Sequence, residues 1–254
     1  MIKIVLFGAG NVASHLCTVF EKTSGIEVVQ VYNRNLNSLS ELPKNINKTT
    51  FLSEIKDADI YIIALPDDVI SDFSESLPFK NKLVVHTSGS VAMEALSDNN
   101  RKGVFYPLQS FSKNRAIDFS EIPICVEASV TSDLILLNEL GNKISNTITE
   151  ISSEERKKLH LSAVIVNNFV NYLYQVGSDL LSEASLSFDL LKPLIKETAL
   201  KIENLTPFEA QTGPAKRNDK KTIEKQLHLL KDSPHQKLYA EMTEAILREY
   251  NKDN

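Results

Sequence analysis

The segment that most constrains the fold of this 254-residue chain is Gly8-Ala9-Gly10-Asn11-Val12-Ala13. It follows residues 2–7, a β-branched apolar run that predicts a buried strand, and it opens residues 11–22, where apolar side chains have helical spacing. Glycine at this place permits a tight turn and close approach of a pyrophosphate, which the helix N-terminus favours. The segment therefore predicts dinucleotide binding, the alternative being a simple glycine turn between strand and helix. The expected cofactor contacts here are Gly8, Gly10, Asn11, Val12 and Ala13.

Strands and helices alternate through the first 151 residues. Further apolar runs predict strands at roughly 26–32, 59–65, 83–86, 103–106, 122–126 and 147–151, with helices between several of them. Such alternation produces βαβ units, and continuously apolar strands suit a parallel sheet that is covered on both faces. The fold class is therefore predicted to be α/β, with a Rossmann-type, mostly parallel sheet domain over residues 1–151.

Strand patterns stop at Ser152, and residues 152–254 are predicted to form an all-helical domain. Ser152 and Glu155 have capping-box spacing, which predicts a helix that runs from about residue 153 to about residue 184. A helix of this length suggests an element that spans domains or subunits. Further helices are predicted at roughly 187–204, 219–231 and 236–252.

Composition excludes several classes of protein. The net charge of −5 argues against nucleic-acid binding, which needs a concentrated basic face. No run approaches the roughly 18 apolar residues of a membrane span, and the apolar N-terminus is interpreted as a strand, not as a secretion signal. Cys17 and Cys125 form no motif, which predicts reduced core residues of a cytoplasmic protein. No metal site is expected.

The end of the second strand distinguishes between cofactors. NAD sites usually carry Asp or Glu there, bonded to the ribose 2′-hydroxyl, whereas this chain has Asn33-Arg34-Asn35. Arg34 can pair with a 2′-phosphate in bidentate fashion, and no carboxylate is present to repel it. NADP(H) is therefore favoured over NAD, the alternative being a solvated arginine in a turn.

Two further strand ends face the expected ligand crevice. Leu65 and Pro66 follow the third long strand, where backbone atoms could lie along the cofactor or simply start a helix. The fourth strand ends in His86-Thr87-Ser88-Gly89-Ser90, whose hydroxyls and open amide suit a substrate carboxylate or carbonyl. The alternative is an ordinary polar loop, and His86 is equally compatible with the core. The expected substrate contacts in this loop are Thr87, Ser88 and Gly89.

Five segments together resemble a known family. They are GAGNVA, IIALPDD, HTSGS, YPLQSF and QTGPAKRND, in this order along nearly the whole chain. The sequence resembles Rossmann-like proteins that carry a DUF2520 C-terminal domain. These are similar in architecture to pyrroline-5-carboxylate reductase, 6-phosphogluconate and 3-hydroxyacid dehydrogenases, and ketopantoate reductase. The resemblance implies that the N-terminal domain binds NAD(P)H and that the helical domain closes the active site and builds a homodimer.

The resemblance also implies where catalysis takes place. Hydroxyacid and ketopantoate dehydrogenases place a catalytic lysine near the start of the corresponding helix, followed by asparagines on the same face. Here His160 stands in for that lysine as proton donor and Asn168, eight residues later, would position the substrate. Imidazole groups ordinarily titrate near neutral pH, which suits proton donation. Lys158 is an alternative donor, and a histidine at a helix–sheet contact is the structural alternative.

Two further segments are expected to reach the same cleft. Gln211–Asp219 breaks the helical pattern at Gly213 and Pro214, and in related folds such interhelical loops reach the active site. Thr212 and Arg217 are the expected substrate contacts, and Asp219 is expected to cap the next helix. The alternative is a surface turn with an Arg217–Asp219 pair. Gln109 is a weaker candidate for the cleft.

These observations favour an NADPH-dependent reductase of a small carboxylate-bearing carbonyl, such as a 2-keto acid of the ketopantoate type, or of an imine. The absence of the usual lysine keeps open a second hypothesis, in which the chain is a non-catalytic NADP(H)-binding sensor or dimeric partner protein. Each hypothesis predicts cofactor binding, and turnover of a small-molecule substrate distinguishes them.

Overall fold

The computed structural model describes residues 1–43, 45–113 and 115–251, and the chain divides into two compact units, Met1–Asn167 and Asn168–Asn254. Within the described residues, the first unit contains an eight-stranded sheet. The strands are β1 Ile2–Phe7, β2 Ile26–Tyr32, β3 Lys48–Thr49, β4 Ile60–Ile63, β5 Leu83–His86, β6 Arg101–Pro107, β7 Ile124–Ala128 and β8 Ile148–Glu150. The two-residue strand β3 has no sequence signal and was not predicted.

The strand order of the sheet defines its ligand crevice. The order is β3-β2-β1-β4-β5-β6-β7-β8, and all neighbouring strands are parallel except β6 and β7. The chain moves from β1 outward to β3 and then returns to the other side of β1 with β4. In open α/β sheets, ligands bind at the carboxyl ends of the strands beside such a switch point. The predicted α/β class with a mostly parallel sheet is confirmed.

Alternating side chains of β1 reach the two apolar cores that lie on opposite faces of the sheet. Ile4 and Leu6 pack in one core, and Val5 and Phe7 pack in the other, all of them fully buried. The described part of this unit contains five α-helices: α1 Asn11–Lys22, α2 Leu36–Ser40, α3 Ile70–Glu75, α4 Thr131–Asn142 and α5 Ser153–Ala163. A 3₁₀ turn over Asp67–Val69 replaces the start of the helix predicted after β4.

The long predicted helix is not uniformly α-helical. It consists of α5, a π-helical segment Val164–Phe169, and α6 Val170–Glu183. A π-helix bonds each residue to the fifth one along and so holds more residues in each turn. The α-helical spacing that placed His160 and Asn168 on one face therefore does not apply across this segment, because Asn168 lies inside it.

The regular structure of the second unit, as far as residue 251, is helical. After α6 it contains α7 Lys192–Lys201, α8 Pro207–Ala210, α9 Lys220–Leu229 and α10 Gln236–Tyr250, and a 3₁₀ turn precedes α7. The predicted end of the last helix, Lys252, lies outside the described residues. In the part of the chain that the structure describes, no helix is long and apolar enough to cross a membrane.

The change from strands to helices occurs where the sequence predicted it, between β8 and α5. The first compact unit nevertheless includes α5, because the buried Arg156 ties this helix to the sheet. The Arg156 guanidinium pairs with Glu127 of β7 and donates to the Val91 carbonyl. Ser153 donates to the same Glu127 carboxylate, from N (2.9 Å) and from Oγ (2.8 Å). These bonds fix the first turn of α5 on the sheet.

Replacing Arg156 by Met should lower the free energy of unfolding by about 3–5 kcal/mol, because Glu127, whose side chain is only 14% exposed, would keep its charge without its partner. Urea unfolding measures this loss. A double variant, Arg156→Met with Glu127→Leu, should recover part of the loss, since no lone charge then remains. The matched control is Lys157→Met, which removes an exposed pair with Glu154 and should cost no more than about 1 kcal/mol. Equal losses in Arg156→Met and Lys157→Met would contradict the assignment.

Candidate active site

Gly8 and Gly10 are required for two different reasons. Gly8 has φ +119°, and a Cβ there would lie 2.3 Å from the carbonyl oxygen of Ala64 at the end of β4. A Cβ on Gly10 would meet no protein atom within 4 Å, so the space above this residue is open. Gly10 is also the N-cap of α1, which has no side-chain cap and no acidic residue in its first turn. The α1 N-terminus therefore offers backbone amides to an anion.

The next three residues of the glycine segment have structural partners. Asn11 donates from Nδ2 to the Phe111 carbonyl (2.9 Å), and His15, one turn later, bonds the Ser112 carbonyl (3.0 Å). Val12 packs against the core and Ala13 is fully buried. Asn11 therefore holds the loop after β6 against α1, while Val12 and Ala13 keep the helix close to the sheet.

A cavity of about 360 Å³ opens at the switch point. Of the residues expected to contact cofactor, the structure brings five to this cavity: Gly10, Asn33, Arg34, Leu65 and Pro66. The cavity is also lined by Lys113, which lies far from Arg34 in sequence and pairs with Glu41. Both members of that pair are about half exposed, so their interaction is weak and Lys113 can turn to another anion at little cost. Two cations thus line one cavity.

The loop after β5 is held largely by its own hydrogen bonds. Ser88 Oγ accepts from the backbone amides of Ser90 (3.1 Å) and Val91 (3.0 Å), so this hydroxyl shapes the loop. Ser90 donates to Asp67, which links the loops after β4 and β5. Thr87 is half-buried, and its hydroxyl makes only a long contact of 3.5 Å to the Ile63 carbonyl. Of the two predicted hydroxyls, Thr87 is therefore less committed to the fold than Ser88.

His86 is a core histidine and not an exposed ligand. The residue is fully buried, and Nδ1 accepts from the Ser88 amide at 3.1 Å. Burial first, and then the positive charge of Arg156, lower the pKa of His86 to about 4. His86 is therefore neutral near pH 7, with its proton on Nε2 because Nδ1 is an acceptor.

His160 lies on α5 one turn after Arg156, so the two side chains share a face of the helix. Its Nδ1 is 3.0 Å from the hydroxyl oxygen of Tyr106 in β6. Val104 of β6 pairs with His86, the last residue of β5. Tyr106 therefore lies two residues beyond the level at which β5 ends. The rival donor Lys158 is exposed. The geometry therefore brings His160, and not Lys158, into contact with a residue at the carboxyl edge of the sheet.

The remaining predicted site residues include Gln109 of the first unit and Thr212 and Arg217 of the second unit. Gln109 is exposed, and its Oε1 accepts from the Ser110 amide at 2.8 Å. Thr212 and Arg217 lie on the turn between α8 and α9 of the second unit, where both are exposed. Asp219 caps α9 by accepting from the Thr222 amide (3.1 Å), which confirms its predicted role. Hydrogen bonds from Thr222, more than the charge of Arg217, lower the pKa of Asp219.

The residues of the cavity fit a dinucleotide. The open space over Gly10 and the uncapped amides of α1 suit a pyrophosphate, and Leu65 and Pro66 form an apolar wall at the end of β4. None of the described residues that line this cavity is Asp or Glu. A bound anion would therefore meet no opposing carboxylate on the walls.

Sequence reasoning missed three residues of this region: Tyr106, Lys113 and Arg156. Tyr106 and Lys113 flank a loop without periodic pattern, and each meets a partner more than fifty residues away. Arg156 lies in the charged run EERKK, in which nothing distinguishes the buried cation from the exposed ones. Helical spacing counted from the capping box would have placed Arg156 and His160 on one face of the helix. It would not have shown that this face packs against the sheet.

Comparison with known proteins identifies the class. Residues 3–89 match the family described as "NADP oxidoreductase coenzyme F420-dependent", and residues 122–246 match the "Domain of unknown function (DUF2520)". None of the curated proteins matches the sequence significantly. The N-terminal match covers the glycine turn, Arg34 and the start of the loop after β5 as far as Gly89, and the C-terminal match covers α5 and His160.

Solved structures extend the likeness to the whole chain. A Bacteroides fragilis protein described as a candidate NADP oxidoreductase is 40% identical, with a TM-score of 0.89 over 97% of this chain and 98% of its own. A Thermotoga maritima protein is 21% identical, with a TM-score of 0.82 over 98% and 100%. The pyrroline carboxylate reductase of Plasmodium falciparum, solved with NADP bound, is 16% identical, with a TM-score of 0.62 over 97% and 98%. These last two likenesses concern the fold alone.

The chain is an NAD(P)-dependent oxidoreductase. It belongs to the family that joins a Rossmann-type NAD(P)-binding domain to a DUF2520 C-terminal domain.

The buried state of His86 should make the protein less stable in mild acid. The folded pKa of about 4 lies below the ordinary value of 6.5, so between these pH values the unfolded chain binds the extra proton. The free energy of unfolding should therefore fall as the pH falls from 6.5 to 4, by up to about 3 kcal/mol from this group. Urea unfolding at several pH values measures the fall.

The variant His86→Asn should flatten this dependence, because asparagine can accept from the Ser88 amide but does not titrate. The matched control is the exposed His228→Asn, which should keep the slope of the wild type. An unchanged slope in His86→Asn would contradict the role given to His86.

Proposed function

We propose that this chain is an NADPH-dependent reductase of a small carboxylate-bearing carbonyl, a 2-keto acid of the ketopantoate type, or of the corresponding imine. One observation carries the proposal. Two features lie along the carboxyl edge of the sheet. A cavity at the ends of β1, β2 and β4 is lined by the cations Arg34 and Lys113, and a hydrogen-bonded His160–Tyr106 pair lies beyond the end of β5. The cavity suits a phosphorylated cofactor, and the His160–Tyr106 pair suits a proton donor.

The preference for NADPH rests on the charges around the cavity. Arg34 follows β2, where NAD enzymes usually carry a carboxylate that binds the ribose 2′-hydroxyl. Lys113 lines the same cavity from the loop after β6. A 2′-phosphate between a guanidinium and an ammonium group would form charge-assisted hydrogen bonds to both. A 2′-hydroxyl would find no carboxylate acceptor on the described walls.

The layout of the sheet supports an ordered path for the cofactor. Neighbouring strands lie about 4.8 Å apart, so the ends of β2 and β6 are separated by roughly 19 Å across β1, β4 and β5. The adenosine ribose would lie at Arg34, the pyrophosphate at Gly10, and the nicotinamide beyond Leu65 and Pro66 near β5. Thr87 and the amide of Gly89 would then face the reacting end.

NADPH, when bound, supplies hydride to the carbonyl carbon of the substrate. His160 gives a proton to the oxygen on which negative charge develops, and Thr87 and the Gly89 amide hold the carbonyl in position. Ser88 contributes by shaping this loop. Asn168, Gln109, Thr212 and Arg217 are proposed to contact the substrate, with Arg217 pairing with its carboxylate.

The chain is also proposed to form a homodimer through its helical unit. Among the described residues after Asn168, the buried apolar side chains are Ala215, Ile223 and Leu230. Large apolar side chains of the same unit are exposed, among them Tyr172, Leu190, Leu194 and Phe208. A compact unit rarely leaves so much apolar surface in water unless a partner covers it. A molar mass of one chain in solution at micromolar concentration would contradict the dimer.

Arg34→Ala and Lys113→Ala should each weaken NADPH binding by about tenfold or more, because each removes a charge-assisted bond worth roughly 1.5–3 kcal/mol. NADH binding should change little, since NADH lacks the 2′-phosphate. Titration of NADPH and NADH fluorescence measures both affinities. Lys22→Ala, which changes an exposed lysine outside this cavity, is the matched control. Equal losses for NADPH and NADH in the two variants would refute the 2′-phosphate site.

The wild-type protein should consume NADPH when a 2-keto acid such as ketopantoate is added, as followed by loss of NADPH fluorescence. His160→Ala should lower this rate by roughly 10²–10⁴-fold, the contribution of a positioned acid, and leave NADPH affinity within about twofold. Lys158→Ala should keep the wild-type rate. The opposite pattern would assign the proton to Lys158. Tight NADPH binding without turnover of any keto acid or imine would favour the sensor hypothesis.

A further inference from the structure

Tyr106 and His160 form a close pair inside the first unit. The Tyr106 hydroxyl oxygen lies 3.0 Å from His160 Nδ1, and the two rings meet edge to face with centroids 6.0 Å apart. Tyr106 is buried and His160 is half-buried. Leu159, the neighbour of His160, packs against a buried cluster that contains Tyr106 and Cys125. The pair is therefore held by the packing of α5 on β6 and β7.

The loop after β5 is shaped around this pair. A Cβ on Gly89 would lie 2.4 Å from His160 Nδ1 and 2.8 Å from Tyr106 Cζ. A side chain at this position would therefore force His160 or Tyr106 to shift, because those two contacts are far shorter than van der Waals distance. The backbone of Gly89 thus lies directly against the atoms that join the two rings.

The charge state of Tyr106 limits the direction of the hydrogen bond. Burial, and then the nearby Cys125, raise the pKa of Tyr106 to about 12, so its hydroxyl stays protonated near neutral pH. The other groups acting on this hydroxyl are Arg156 on α5, which opposes the rise, and Asp67 after β4. If the Tyr106 hydroxyl donated to His160 Nδ1, the neutral imidazole would carry its proton on Nε2. His160 could then release that proton only if the tyrosine proton moved onto Nδ1. That step would leave a buried tyrosinate, which burial disfavours.

The opposite direction allows proton exchange at no such cost. When His160 Nδ1–H donates to the Tyr106 oxygen, Nε2 is the nitrogen that gains and loses a proton. The imidazolium gives its Nε2 proton to the substrate oxygen and becomes the neutral Nδ1–H tautomer, and a proton from solvent then restores Nε2–H. The bond to Tyr106 remains in both states.

We propose that Tyr106 is the positioning residue of His160, whose Nδ1–H it holds as an acceptor so that Nε2 exchanges the proton with the substrate. The proposal rests on the proposed reductase function, because proton exchange at Nε2 decides between the two directions of the bond. Tyr106 would act here as an uncharged counterpart of the carboxylate that orients histidine in hydrolytic triads.

The tautomer is tested on the whole protein labelled with ¹⁵N-histidine, at a pH where His160 is neutral, with His160→Gln used to assign its two ring signals. The wild type should show His160 as the Nδ1–H tautomer. Tyr106→Phe should shift the population toward Nε2–H. The control is Tyr61→Phe, which removes another buried hydroxyl, bonded to the Ala58 amide at 3.0 Å, and should leave the His160 signals unchanged. A wild-type Nε2–H tautomer, or identical signals in Tyr106→Phe, would overturn the proposal.

Enzyme kinetics test whether the position of His160 that Tyr106 sets affects turnover. Tyr106→Phe should lower kcat by about tenfold, part of the roughly 10²–10⁴-fold that a positioned acid supplies, with little change in the KM for NADPH. The alkaline limb of the pH–rate profile should move to lower pH, because a charge-assisted bond to the acid form is lost. A loss no larger than that of Tyr61→Phe would indicate a structural role only. If no substrate turns over, the reductase proposal fails, while the tautomer result still decides the role of Tyr106.

Discussion

Arg156 is buried, and its guanidinium group meets the Glu127 carboxylate inside the first unit. The same carboxylate accepts from Ser153, so two residues of α5, Ser153 and Arg156, attach the start of this helix to β7. Because His160 follows Arg156 by four residues, the anchor also decides which way His160 faces. An apolar pair could supply equal stability, but it would not set the rotation of the helix as sharply. The position of the proposed proton donor therefore depends on this ion pair.

The segment from Tyr106 to Lys113 connects the two halves of the proposed chemistry. Its first residue contacts His160, and its last residue lines the cavity that contains Arg34. Between them, Asn11 and His15 of α1 bond the carbonyls of Phe111 and Ser112. The glycine turn that suits a pyrophosphate thus also holds the loop that carries Lys113. The proposed cofactor selection and the proposed proton donation therefore depend on one stretch of chain.

Three glycines of the first unit serve three physical purposes. Gly8 is demanded by backbone conformation and by the Ala64 carbonyl, which leaves no room for a Cβ. Gly10 borders open space, where an added methyl group would project toward a ligand and not toward protein. Gly89 makes room for the Tyr106–His160 pair. The sequence shows only that each of the three positions is glycine, whereas the neighbouring atoms in the structure show why each position requires it.

The sequence by itself determined the alternation of strands and helices, the exact extent of β1, β2, β5 and α1, and the glycine turn. These features follow from local periodicity and from backbone preferences, which act over a few residues. Only the tertiary structure decided that His86 is a core residue, that a π-helical segment interrupts the long helix, and that Tyr106, Lys113 and Arg156 join the site. The burial of His86 and the contacts of Tyr106, Lys113 and Arg156 depend on residues far apart in sequence, and such contacts leave no local pattern to read.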